Sequence, residues 1–185
     1  MPHSTPEPYP RLLPRLLLAG GLVGVLASFV LTVEKIALLK DPSYTPTCSI
    51  NPVLSCGSIM RTWQAELFGF PNPLLGVAGF AVVATAGAAL LAGARFSRWF
   101  WYGLQAGATA GLIFVHWLIY QSLYVIGALC PYCMVVWAVT VPVFWYVTLR
   151  NTRPMVYHTL PLVGWFLLVI TLILIRFWSY WSGLL

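Results

Sequence analysis

From Trp99 to Leu149 the chain carries no Asp, Glu, Lys or Arg. That run is too long for one membrane-spanning helix of ~20 residues and right for two joined by a turn; the turn is expected in "QSLYVIGAL", residues 121–129. A second uncharged run, Leu16 to Val33, is long enough to span once flanking residues are counted. Arg11 and Arg15 precede it as they would in a signal peptide, but its apolar core exceeds a signal h-region and no A-x-A site follows. A third, Leu67 to Ala94, opens with "FGFPNP", whose prolines restrict the residues before them and make Pro73 a natural helix start. The last run, Leu160 to Ile175, is closed by Arg176 and by Trp178, Tyr180 and Trp181, as at a headgroup boundary.

These runs predict an all-α integral membrane protein with spans at about 16–33, 73–93, 100–120, 130–149 and 160–176. They leave a tail over 1–15, a membrane domain over 16–178 with a loop at 34–72, and a short tail over 179–185. With 60% hydrophobic and 8% charged residues and a mean hydropathy of +0.85, the chain has too little polar surface to wrap a water-soluble globule. The net charge of +6 does not point to nucleic acid, because the basic residues sit in pairs beside apolar runs and form no stripe.

The pairs set an orientation instead. Arg11 and Arg15, Arg95 and Arg98, and Arg150 and Arg153 share one set of helix ends; the other set carries Lys35, Lys40 and Arg61, offset by Glu34, Asp41 and Glu66, together with Arg176. The first set is expected in the cytoplasm, with the N-terminus. All four cysteines then lie on the outer, oxidising face, where disulfides persist.

The cysteines come as "CSINPVLSC", Cys48 and Cys56, and "CPYC", Cys130 and Cys133. Pro131 suits a first helical turn, so Cys130 and Cys133 share one face at a helix N-terminus, where unpaired N–H groups favour a thiolate. Such a pair is more often a redox dithiol than a staple. A solvent-facing loop pair next to a pair at the membrane edge makes a relay, and its far end needs a lipid-soluble acceptor. No nucleotide-binding glycine fingerprint, haem-attachment motif or metal cluster is visible in the sequence, and a quinone fits. Two rivals remain: four cysteine ligands to a metal, although seven residues separate the first pair, or two static disulfides. His116, mid-span, is either a proton relay or a neutral histidine bonded between helices. "GSIMRTWQAELF", residues 57–68, places Ile59, Trp63 and Leu67 on one face of a helix that would lie flat over the site.

"CSINPVLSCGSIMRTWQAELFGFPNPLLG" followed by "CPYC" at a helix start resembles the vitamin K epoxide reductase family, bacterial branch, over nearly the whole membrane core. The resemblance implies a four-helix transmembrane bundle around a quinone site, here with a fifth transmembrane helix and an outer loop with a half-helix between spans one and two. It implies an oxidoreductase with a thiol donor and a quinone acceptor of the menaquinone, ubiquinone or phylloquinone type, and no metal. The expected location is the bacterial cytoplasmic membrane. Because the sequence stops before a fused thioredoxin-like domain could begin, the thiol partner is expected to be a separate extracytoplasmic thioredoxin-like protein that makes disulfides. By position, Cys133 matches the cysteine that reacts with quinone and Cys130 its partner. Cys48 and Cys56 match the shuttle pair, with Cys56 facing Cys130 and Cys48 the external thiol. Thr62 falls at a hydroxyl position near the site, and Asn72 where an asparagine bonds a quinone carbonyl. Trp137 stands where vertebrate enzymes have tyrosine, and Ser49 where aspartate is common.

Overall fold

The computed structural model describes residues 12–152 and 157–183. Arg11, Arg153, the tail before Leu12 and the last two residues lie outside them. The described residues form helices α1 (Leu12–Lys40), α2 (Cys56–Met60), α3 (Pro73–Leu91), α4 (Arg98–Tyr120), α5 (Pro131–Asn151), α6 (Leu160–Arg176) and α7 (Trp178–Ser182). A 3-10 turn occupies Trp63–Glu66, and α4 runs on into a π-helical turn over Gln121–Ile126.

Among the described residues, four helices are long and apolar enough to cross a membrane: α1, α3, α4 with its π turn, and α5. At 17 residues, α6 lies at the short end of the spanning range. Prolines start α3 and α5 at Pro73 and Pro131, as the sequence predicts, because the first helical turn needs no N–H from them. Besides the start of α1, at Leu12 inside the expected 1–15 tail, two boundaries differ from the expected ones by more than two residues. First, α1 continues past Val33 to Lys40, since Glu34 and Lys35 are buried and paired and need not end the helix. Second, residues 121–126 stay helical, and the chain turns only at Gly127, whose φ of 72° is cheap for glycine.

Helix α5 is central, touching α1, α4 and α6, while α1 packs most closely on α3. The α1–α3 seam is built from small residues. A Cβ at Gly87 would collide with the backbone of Leu18, and one at Gly21 with the backbone of Ala84; Gly24 receives the Phe80 ring. Without a hydrophobic drive between helices in lipid, such close approach supplies the packing energy. Gly87→Leu is therefore expected to destabilise the protein by about 2–4 kcal/mol, read as a clear fall in thermal unfolding temperature in detergent. An unchanged transition would mean that the seam contributes little.

His116 ties α4 to α6. Its Nδ1 donates to the Leu112 carbonyl at 2.8 Å and its Nε2 accepts from Trp165 Nε1 at 2.9 Å, which together require the neutral ring. This is the arrangement of the bonded-histidine reading.

Candidate functional site

The four cysteines meet because two short extended segments pair. Asn51 Oδ1 accepts from the backbone N–H groups of Val53 and Leu54, closing a turn that straightens the chain behind it. Leu54 then forms a parallel bridge with Leu129: Leu129 N–H donates to the Val53 carbonyl at 2.7 Å and Ser55 N–H to the Leu129 carbonyl at 2.8 Å. Directly after the bridge come Cys56, which opens α2 with Ser55 as its cap, and Cys130, which caps α5. Their sulfurs are 3.0 Å apart.

Cys48 and Cys56 form a disulfide, while Cys130 and Cys133 are free thiols. Cys133 N–H points at Cys130 Sγ, 3.4 Å away. The sulfur thus sits in N-cap geometry, where the helix end favours negative charge on it.

The loop pair is not solvent-facing, contrary to the sequence expectation. Cys48 is 5% exposed and Cys56 0%, in a cluster with Leu31, Leu38, Met60 and Cys130. The reason lies in adjacent charges on α1. Glu34 accepts from the Tyr44 hydroxyl at 2.9 Å and from both the hydroxyl and the N–H of Thr47, just before Cys48. Lys35 donates to the Met60 carbonyl at 2.5 Å and pairs with Glu66 at 2.9 Å, just after Cys56. The two side chains pin the disulfide segment from both flanks. Ser49 adds a neutral tie, its hydroxyl accepting from Gly57 N–H at 3.1 Å.

On its other side Cys130 faces, with Cys133, a cavity of about 650 Å³ between α3 and α4, which scarcely touch each other. A volume of that size suits a drug-sized ligand. Its walls are almost wholly apolar; Asn72, Gln64 and Gln121 bring amides to it, and Trp137 and Phe114 bring rings. Gly79 and Val82 of α3 and Gly103, Gly107 and Ala110 of α4 both line the cavity and are exposed, so it opens sideways through the bundle wall.

The cover over it departs from a single flat helix. Residues 56–66 break into α2 and the 3-10 turn, with Thr62 extended between them. Met60, Gln64 and Phe68, not Trp63 and Leu67, face the cavity together with Ile59. Thr62 is not among the lining residues, and its hydroxyl donates back to the Ile59 carbonyl at 2.7 Å, closing the break. Asn72 braces the cover: its Nδ2 donates to the Gln64 carbonyl at 2.6 Å and its Oδ1 accepts from Leu67 N–H at 3.1 Å. One Nδ2 hydrogen remains for a ligand.

Cys130 is thus a hub, touching the disulfide on one side and the cavity on the other. A thiol so placed is within reach of Cys56, and Cys133, three residues on, lies at the cavity wall. The sulfurs of Cys48, Cys56 and Cys130 also lie within 4.8 Å of one another. With two of them joined, a metal there would first require the disulfide to be reduced.

Comparison with known proteins adds one finding. The model of the Vitamin K epoxide reductase family matches residues 15–148, which hold all four cysteines and the cavity. No curated protein matches the chain.

Proposed function

The chain belongs to the vitamin K epoxide reductase family, and from that premise we propose that it is a quinone-linked thiol oxidase that supports disulfide formation outside the cytoplasm. Members of the family are membrane oxidoreductases that generally work with a quinone and thioredoxin-like partners. The observation that carries the reading is Cys130, 3.0 Å from the Cys48–Cys56 disulfide and on the wall of a membrane-open apolar cavity.

A reduced carrier thiol attacks Cys48, the more accessible loop sulfur, and the carrier leaves as a disulfide with Cys48 and Cys56 as thiols. Access requires the segment held by Glu34 and Lys35 to loosen. Cys56 then attacks Cys130 of an oxidised Cys130–Cys133 pair, releasing Cys133. Cys48 attacks Cys56 in turn, restoring the loop disulfide and releasing Cys130. That end state, loop pair oxidised and helix pair reduced, is the state of the present structure. A quinone supplies a lipid-soluble acceptor of two electrons and two protons. Cys133 gives up the electrons at the cavity wall and closes on Cys130, and the spare Nδ2 hydrogen of Asn72 stabilises the developing oxyanion. Trp137, buried on the same wall, shapes the ring site. Thr62 supports the cover that Asn72 braces. The end with Arg15, Arg95, Arg98 and Arg150 faces the cytoplasm of a bacterial cell.

The test is anaerobic mixing of purified protein with a reduced thioredoxin-like carrier and a menaquinone analogue. One quinone is expected to disappear for each carrier dithiol oxidised. If the carrier stays reduced and quinone absorbance does not change, the oxidase reading fails, and zinc in the reduced protein becomes the next measurement.

A further inference from the structure

Gln64 carries the one side-chain polar atom at the cavity that is buried and has no partner among the described residues, its Oε1. The residue is 5% exposed, and a buried amide oxygen left unpaired is rare enough in folded proteins to need a cause. Its Nε2 donates to Gln121 Oε1 at 3.2 Å. Gln121 lines the same cavity and opens the π-helical turn at the end of α4; such turns recur at functional sites. Two amides 57 residues apart in sequence thus converge on an otherwise apolar wall that already holds Cys130, Cys133 and Asn72.

We propose that Gln64 and Gln121 form an amide pair that hydrogen-bonds a ring oxygen of the quinone. The inference rests on the quinone reading above. A purely structural tie between the cover and α4 would account for the bond between the two amides but not for the orphaned oxygen. An amide can be turned end for end. If both turn, the bond between them is kept, and the end of the Gln64 amide left without a partner changes from acceptor to donor. The pair can therefore donate to a quinone carbonyl before reduction and accept from a quinol hydroxyl after it. The Asn72 brace is untouched by side-chain changes at Gln64, because it bonds the Gln64 backbone carbonyl.

The test compares menadione with methylnaphthalene, which has the same fused rings and no carbonyls. Binding to the oxidised protein in nanodiscs is read by tryptophan fluorescence for wild type, Gln64→Leu, Gln121→Leu and the double variant. Menadione affinity is expected to fall about 5–10-fold in each single variant and little further in the double, with methylnaphthalene binding unchanged. Equal losses for both ligands, or no loss of menadione, overturn the amide pair. If Gln64→Leu does not fold, Gln121→Leu gives the same decision. Failure of the wild type to bind menadione at all sinks the quinone reading itself, a different result from wild-type binding that the variants leave intact.

Discussion

Cys133→Ala is expected to stop quinone reduction, by at least about a thousand-fold, while trapping the protein as a Cys56–Cys130 disulfide with Cys48 as a free thiol. The two sulfurs are already 3.0 Å apart. Cys130 can attack Cys56 and release Cys48, and without Cys133 nothing at the cavity side resolves the product. Cys130→Ala loses the same activity but traps nothing: the loop disulfide is still reduced by an external dithiol, and the electrons go no further. Quinone absorbance gives the rate, and alkylation followed by peptide mapping gives the disulfide. Quinone turnover near the wild-type rate in Cys130→Ala would show that Cys56 feeds Cys133 directly and would remove Cys130 as hub.

That contrast depends on features of unequal legibility in the sequence. The spans were readable because long uncharged runs have few alternatives, and the starts of α3 and α5 because proline is favoured in a first helical turn, where Pro73 and Pro131 stand. "CPYC" at a helix N-terminus followed directly. The continuation of α1 through Glu34 and Lys35 was not readable, since charge ends an apolar run unless tertiary partners neutralise it; here Tyr44, Thr47, Met60 and Glu66 do so from 10 to 31 residues away. The same contacts bury the loop disulfide that the sequence placed in solvent. The break between α2 and the 3-10 turn was hidden too, because the apolar spacing of residues 57–68 suits a continuous helix and only the packing selects Met60, Gln64 and Phe68 as the inner face. Gln64 and Gln121 carry no local signal. Each is one amide in an apolar setting, and its meaning arises from the other.

Gly107→Leu is expected to weaken binding of a long-tailed quinone by roughly 10–100-fold while leaving the protein as stable as the wild type. Glycines spaced by four along a membrane helix usually mark a packing surface against another helix. Gly103 and Gly107 do not: a Cβ at either would meet nothing within 4 Å, whereas Gly21 and Gly87 of the α1–α3 seam have no such room. The α4 glycines border the sideways opening of the cavity, opposite Gly79 and Val82 of α3. A leucine there therefore enters the groove without straining the bundle. A lipid-soluble ligand reaching Cys133 through that opening would leave its apolar tail along the groove, so the loss should be much smaller for a quinone with no tail. Titration of both ligands against Gly107→Leu, with thermal unfolding alongside, separates the cases. Equal weakening of both places the obstruction at the ring site, and no weakening of either means that quinone arrives by another route.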